Sequence, residues 1–290
     1  MPVPRIAVFG SLNLDHSFCV PRIPLPGETL IAQSANSCFG GKGANQAIAA
    51  ARAGAAVQMA GCVGDDDAGH RYIAYLKGEG VCTDAIQLSA EAATGSAFIA
   101  VDSEGENSII VNPGANHAVV AAELPPVDVL LLQLECPLSE VAKIANSAHA
   151  AGTRVILNPS PWDDAVLAAG MPIDVLIVNQ REAAQAGDRL RADMCIITNG
   201  AAPTLVYSAN AAPIAISPPS VDPVDTVGAG DAFAGAFAVA YARGLALADA
   251  IAFANSAAAL ATLKAGAQMA IPTRTAIEAF QATGPPGLDP

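Results

Sequence analysis

The amino-acid sequence predicts an α/β protein with a mostly parallel central sheet flanked by helices and a small second sheet that acts as a lid. Continuous apolar runs alternate with helical patterns along most of the 290 residues, which is typical of parallel strands buried on both faces. Two extended segments, at about 16–40 and 94–112, interrupt that alternation. No internal repeat divides the chain, so we expect residues 1–290 to form a single domain.

The alternation begins with an apolar strand at Ile6–Phe9, which ends in polar residues. Open parallel sheets bind ligands at such carboxyl ends. A helical pattern then runs from Gly41 to a glycine cap at Gly54. The further expected elements are a strand at 57–64, a helix after the acidic stretch 65–67, strands within 127–135, 153–160, 174–180 and 195–200, a helix through Ala151, a hairpin at 204–216, and helices in the last third.

The two interrupting segments are extended for different reasons. The first is rich in proline and then polar, whereas the second contains two apolar runs joined by a Gly-containing polar turn, which is a hairpin signal. We expect both segments to pair into one small sheet, the lid.

Composition excludes several classes of partner. The formal net charge is −13, which disfavours binding to nucleic acid and to anionic membranes. The six cysteines are widely spaced and form no C-x-x-C pair, so we expect small buried side chains in a reducing compartment rather than disulfides or a zinc site. With no signal peptide and no long apolar run, the protein is expected to be soluble and cytoplasmic.

The stretch VDTVGAGDAF places two glycines at the entrance of a helix. Bare N–H groups and the positive end of the helix dipole at Gly228, Ala229 and Gly230 would bind an anion such as a phosphate. Asp231 would then lie beside an incoming phosphoryl group as a base for the attacking hydroxyl. An Asp in a first helical turn is also favourable by itself, but that does not explain the glycines.

A second glycine cluster, GGKGANQA at 40–47, precedes another helix. Its spacing does not match a Walker A motif, and neither cluster completes G-x-G-x-x-G. The glycines could make only a tight turn, but Lys42 and Asn45 in the first turn suit sugar hydroxyls or a phosphate. The acidic residues at 65–67 are interpreted as a first helical turn rather than a metal site.

Together these stretches resemble the signature motifs of the ribokinase-like carbohydrate kinases, also called the PfkB family. The further matching motifs are NLDH at 13–16, PGETL at 26–30, TGSAFIAVDSEGENSI at 94–109, GAN at 114–116, LLQLE at 131–135, LNPSP at 157–161, N-x-x-E at 179–182 and GAQ at 266–268. The resemblance therefore spans nearly the whole chain.

The resemblance implies transfer of the γ-phosphoryl group of ATP to the primary hydroxyl of a pentose, with D-ribose as the expected acceptor. It implies a Rossmann-like central sheet closed by the β lid, through which the chain would form a homodimer. It also implies Mg²⁺ as a cofactor and K⁺ as an activating cation. Sugar and ATP are thus the expected small-molecule partners.

The resemblance further implies roles for individual residues. The sugar would be held by Asn13, Asp15, Gly41, Lys42, Asn45 and Glu135, with Asp231 as base and Gly228, Ala229 and Gly230 as the anion hole. ATP would be bound by Asn179, Thr198, Gly200, Gly230 and Asn255. Mg²⁺ would be organised by Glu182 through water, and K⁺ by Asp225, Val227, Ala261, Lys264 and Gly266.

Three features depart from the family pattern. The segment 180–197 is short, and Pro203 stands where a backbone amide would meet a phosphate; both are expected to affect ATP binding. Ala270 replaces a hydroxyl side chain at the cation site, which is expected to weaken K⁺ binding. The alternatives are a family member acting on another sugar, a sugar phosphate or a nucleoside, a sugar-binding protein without catalysis, and a nicotinamide dehydrogenase.

Overall fold

The computed structural model describes residues 2–189, 192–208 and 211–284. Its helices are α1 Lys42–Arg52, α2 Asp67–Gly78, α3 Leu138–Ala150, α4 Gln180–Ala186, α5 Ala229–Ala242, α6 Leu247–Ala261, α7 Ala267–Ala270 and α8 Arg274–Thr283. Short 3-10 segments lie at Gly114–Ala118, Asp164–Ala168 and Gly187–Arg189.

In the described part of the chain, nine strands form the central sheet in the order β13-β12-β11-β10-β9-β8-β1-β4-β5. These strands are β1 Arg5–Phe9, β4 Ala56–Gly64, β5 Cys82–Ser89, β8 Val129–Leu132, β9 Arg154–Leu157, β10 Val175–Asn179, β11 Met194–Asn199, β12 Ala202–Ser208 and β13 Ala211–Ile216. All neighbouring pairs are parallel except β11–β12 and β12–β13, which are antiparallel. The α/β fold with a mostly parallel sheet is therefore confirmed.

The small sheet has the order β3-β2-β6-β7, formed by β2 Asn13–Cys19, β3 Ser34–Gly40, β6 Gly95–Val101 and β7 Asn107–Asn112. Strand β2 pairs parallel to β6, and so joins the two segments that the sequence predicts to be extended. The sheet begins at Asn13, three residues before the expected boundary at 16.

The central sheet is buried on both faces. In β1, Ile6 and Val8 pack in one hydrophobic cluster with α1, α2, α5, α6 and α8, whereas Ala7 and Phe9 pack in the other with α3. Alanines dominate where α1, α5 and α6 meet. This double burial explains why the strands are continuous apolar runs in the sequence.

Two expectations need correction. The sequence does not predict strand β5, because it lies at the sheet edge and its polar and apolar residues follow no regular period. All six cysteines are free thiols, as expected, but Cys19, Cys38 and Cys82 are exposed rather than buried. Cys19 and Cys38 lie in the small sheet, and Cys82 is the first residue of edge strand β5.

The segment 180–197 contains α4, a helix of seven residues, before β11 begins. Residues 190 and 191 of that segment lie outside the described residues, as do residues 209 and 210. Strands β12 and β13 pair antiparallel, which confirms the expected hairpin. Among the described helices, none combines the length and the apolar character needed to cross a bilayer.

Candidate active site

Polar residues at the carboxyl ends of β1, β8, β9 and β10 lie next to the N-termini of α1 and α5. Ser11, just after β1, accepts a hydrogen bond from Ala44 N through its backbone oxygen (3.0 Å) and donates from its hydroxyl to Glu135 Oε2. Glu135 Oε2 also accepts from the backbone N–H of Lys42 (3.1 Å). The start of α1 is thus attached to the ends of β1 and β8.

Asp231 is the third residue of α5 and only 5% exposed. Its Oδ2 accepts a hydrogen bond from Asn45 Nδ2 and its Oδ1 one from Gln46 Nε2, each at 2.9 Å. A buried carboxylate with a donor on each oxygen has a fixed orientation. Asp231 nevertheless lines a cavity together with Gly228, Gly230 and Lys42.

The turn before α5 requires glycine at position 228. Gly228 has φ +80°, and a Cβ there would lie 2.9 Å from the Cα of Ala267. At Gly230, in contrast, a Cβ would meet no atom within 4 Å, because this residue faces open space. Ala229, the first helical residue, donates its N–H to the backbone oxygen of Thr226 (3.3 Å). The other first-turn N–H groups of α5 have no acceptor within the helix, so they are available to an anion entering the cavity.

The residues expected to hold a sugar gather where the small sheet joins the central one. Asn13 begins β2, and its Oδ1 accepts from Asn116 Nδ2 (2.7 Å). Gly41 connects β3 to α1 with φ +90°, and a Cβ there would lie 2.8 Å from Asn13 N. Asp15 lies on β2, two residues after Asn13.

The Asp15 carboxyl has a pKa raised to about 7, first because of burial and second because of the nearby negative charge of Glu135. The pKa of Lys42 is also raised, which in a basic side chain favours the charged form. Its pKa is raised mainly by the charge of Asp231; burial acts in the opposite direction, and the charges of Glu135 and Glu182 add smaller increases. The cation therefore stays charged among three carboxylates.

Replacing Asp15 with Asn is expected to change how stability depends on pH. The folded pKa of about 7 exceeds the ordinary value of 3.8, so the folded state binds more protons and loses stability as pH rises from about 4 to about 7. Urea unfolding at pH 5 and pH 8 measures this. The wild type should lose more stability between the two values than Asp15→Asn, and equal losses would contradict the assignment.

Two neighbouring cavities extend from the N-terminus of α5. One, of about 300 Å³, is lined by Lys42, Asn179, Glu182 and Asp231, and the other, of about 400 Å³, by Gly200 and Asn255; both include Thr198 and Gly230. The residues expected to bind ATP thus line two cavities that share Thr198 and Gly230, and Asp231 lines the smaller of the two. Pro203 lies within β12, one residue after the strand begins.

Asn179 and Glu182 form a capping box at the start of α4. Asn179 Oδ1 accepts from Glu182 N (2.8 Å), and Glu182 Oε2 accepts from Asn179 N (2.9 Å). The box fixes the Glu182 side chain, which is 7% exposed, against the cavity shared with Asp231. A fixed carboxylate in the wall of this cavity fits Mg²⁺, which prefers hard oxygen ligands.

Asp225 connects the loop before α5 to the loop before α7. Its Oδ1 accepts from Val227 N and its Oδ2 from Gly266 N, each at 2.9 Å. Ala261 ends α6, and Lys264 lies in the turn between α6 and α7. A carboxylate retains lone pairs after accepting two N–H groups, so Asp225 still has an oxygen to offer a monovalent cation. Ala270, the last residue of α7, contributes no oxygen from its side chain.

Sequence reasoning assigned no role to several buried amides that surround Asp231. Gln46 donates to Asp231, and Gln268 Nε2 donates to Asn45 Oδ1 (2.9 Å). Gln133 Nε2 donates to Gln46 Oε1 (2.6 Å). Each of these glutamines lies inside a motif that carries the family resemblance, namely GGKGANQA, LLQLE and GAQ, and that position was the available signal.

Comparisons with known proteins agree with this arrangement. The model of the pfkB family of carbohydrate kinases matches residues 3–274. The ribokinases of Haemophilus influenzae and Bacillus subtilis are 38% and 37% identical to the chain, covering 93% and 94% of it and 95% and 98% of their own lengths. The structure of Arabidopsis thaliana ribokinase complexed with ribose and ATP superposes with a TM-score of 0.86 at 29% identity, covering 96% of this chain and 98% of that one. The chain therefore belongs to the pfkB family of carbohydrate kinases.

Proposed function

We propose that the protein transfers the γ-phosphoryl group of ATP to the primary hydroxyl of D-ribose, forming ribose 5-phosphate and ADP. The observation that carries this proposal is the position of Asp231. Its buried carboxylate, held by two amide donors, lies at a glycine-lined helix N-terminus in a cavity of about 300 Å³ that neighbours a second cavity of about 400 Å³. The ribokinase relatives, which match nearly the whole chain, support ribose as the acceptor.

In the proposed reaction, Asp231 accepts the proton of the primary hydroxyl as that oxygen attacks the γ-phosphorus. The new P–O bond forms while the bond to the bridging oxygen of ADP breaks in line with it. The amides at Gly228, Ala229 and Gly230 stabilise the charge on the phosphoryl oxygens, which is where such reactions gain most of their rate. Lys42, which stays charged, lines the same cavity and adds a positive charge.

On the sugar side, we propose that four side chains form hydrogen bonds with the ribose hydroxyls: those of Asn13, Asp15, Asn45 and Glu135. Gly41 lets the backbone approach them closely. Support comes from their position where β2 and α1 meet the ends of β1 and β8. On the nucleotide side, the two neighbouring cavities are lined by Asn179, Thr198, Gly200, Gly230 and Asn255.

We propose two cations. Mg²⁺, organised by Glu182 through water, neutralises charge on the phosphates when bound. K⁺ would be held by the Asp225 carboxylate and by the carbonyls of Val227, Ala261, Lys264 and Gly266. The Asp225 hydrogen bonds to Val227 and Gly266 support this site because they bring the two loops together.

We also propose that the small sheet serves as a lid and as a homodimer interface in the cytoplasm. Its exposed apolar side chains, Phe98, Ile109, Ile110 and Val111, support an interface. The six free thiols support a reducing compartment. Sedimentation equilibrium measures whether the mass is twice the chain mass of 29.1 kDa.

The test is a panel of acceptors, assayed by release of ADP from MgATP with and without potassium. We expect the highest kcat/KM with ribose, and a lower rate without K⁺. Equal or greater turnover of a nucleoside, fructose or a sugar phosphate would contradict the substrate. Binding of ribose with no ADP release in any condition would indicate a binding protein without catalysis.

A further inference from the structure

A buried glutamine stands behind each of the two amides that hold Asp231. Asn45 donates to Asp231 Oδ2, and the other end of its amide, Oδ1, accepts from Gln268 Nε2. Gln46 donates to Asp231 Oδ1, and its Oε1 accepts from Gln133 Nε2. Asp231 is therefore held by two chains of hydrogen bonds, here called arms: one runs through Asn45 to Gln268, and the other through Gln46 to Gln133. Both arms consist of side-chain amides.

The two arms differ in how many other hydrogen bonds fix the amide that contacts Asp231, which is Gln46 in one arm and Asn45 in the other. Gln46 Nε2 also donates to Asn158 Oδ1 (3.0 Å), and Asn158 Nδ2 donates to the carbonyl of Ile177 (2.9 Å). Because a backbone carbonyl can only accept, Asn158 must present its oxygen to Gln46. Gln46 is thus oriented by Asn158 and Asp231 even without Gln133.

Asn45 has no such second constraint among the described residues. Its Nδ2 meets Asp231, and its Oδ1 meets only Gln268. Without the Gln268 donor, the far end of the Asn45 amide would lose its anchor, and the side chain could leave Asp231.

The orientation of Gln268 is set independently of Asn45. Its Nε2 donates also to the hydroxyl of Tyr72 (2.7 Å), which in turn donates to the carbonyl of Gly40, at the end of β3. Since the Tyr72 proton is committed to that carbonyl, Gln268 must present N–H to Tyr72, and the same nitrogen reaches Asn45.

Each of the two outer glutamines, Gln133 and Gln268, has a buried amide oxygen that accepts no hydrogen bond from the part of the chain that the structure describes. Gln268 is 3% exposed and Gln133 is fully buried. Among the described residues, Gln133 Oε1 and Gln268 Oε1 are the buried side-chain polar atoms without a hydrogen-bond partner. An unsatisfied buried acceptor destabilises the folded state. The useful part of each glutamine side chain is therefore its NH₂ group, which donates to Gln46 or to Asn45.

We propose that Gln268 is a positioning residue for the phosphoryl-transfer step: it orients Asn45, which holds the Asp231 carboxylate toward the acceptor hydroxyl. The role rests on the proposed function of Asp231 as base. Gln133, whose partner Gln46 is already fixed by Asn158, is not required for that orientation.

The test compares Gln268→Met with the matched control Gln133→Met, since each removes one buried amide. We expect Gln268→Met to lower kcat by roughly 10- to 100-fold while KM for ribose changes less than about threefold. We expect Gln133→Met to keep kcat within about threefold of the wild type. Circular dichroism and thermal unfolding establish that each variant is folded, and Gln268→Leu serves if the Met variant does not fold.

A double-mutant cycle separates a positioning role from a general structural one. In an Asn45→Ala background, Gln268→Met should lower kcat no further, because it acts through Asn45. Equal losses in Gln268→Met and Gln133→Met, or a full additional loss in the Asn45→Ala background, would overturn the proposal. A wild type that is inactive on ribose and on the other acceptors would instead contradict the proposed function.

Discussion

Replacing Asp231 with Asn is expected to lower kcat for ribose phosphorylation by about 10³- to 10⁴-fold, the size of effect that loss of a general base produces. An amide cannot take the hydroxyl proton, and its NH₂ group would face one of the two donors, Asn45 or Gln46, that now hold the carboxylate. Ribose affinity should fall much less, because the other sugar contacts remain. Steady-state kinetics and calorimetric titration with ribose measure the two effects separately.

The matched control for this variant is Asp249→Asn. Asp249 is the third residue of α6, as Asp231 is of α5, but it is exposed. If Asp231 only stabilised the helix dipole, both variants would lose about 0.3–1 kcal/mol of stability and retain activity. Unchanged turnover in Asp231→Asn would therefore refute its role as base.

Replacing Gly41 with Ala is expected to reduce the free energy of unfolding by about 3 kcal/mol. With φ +90°, this residue has a backbone conformation that L residues rarely adopt. A Cβ would also lie 2.8 Å from Asn13 N and 2.9 Å from Ser11 O, which are backbone atoms that cannot move aside easily. Urea unfolding measures the loss.

The control for Gly41 is Gly78→Ala at the end of α2. A Cβ at Gly78 would meet no atom within 4 Å, and its φ lies outside the positive range. The change should leave stability within about 1 kcal/mol of the wild type. A Gly41→Ala variant as stable as Gly78→Ala would contradict the close approach of β1 and α1 described above.

The fold could be predicted from the sequence where burial on both faces produces continuous apolar runs, as in β1 and β8. It could not be predicted at β5, because an edge strand with mixed residues has no clear period. The exposed cysteines were missed for a related reason. Cysteine is buried in most proteins, which is why the sequence predicts burial here. Composition does not reveal which strands have an exposed face.

The candidate site could be predicted where a residue type and its place in a motif indicate the chemistry, as for Asp231 after Gly-Ala-Gly. The amides Gln46, Gln133 and Gln268 could not be assigned, because their partners are remote in the sequence: Gln268 and Asn45 are joined across 223 positions. Such contacts arise from the packing of α7 beside α1, which no local pattern encodes.

The central claim is that the phosphoryl group moves at the N-terminus of α5 while Asp231 accepts a proton from the sugar. A crystal structure with ribose and a non-hydrolysable ATP analogue tests it most directly. We expect the terminal phosphate within hydrogen-bonding distance of the amides at Gly228–Gly230, and the primary hydroxyl of ribose next to the Asp231 carboxylate. A terminal phosphate bound elsewhere, with ribose away from Asp231, would contradict the account.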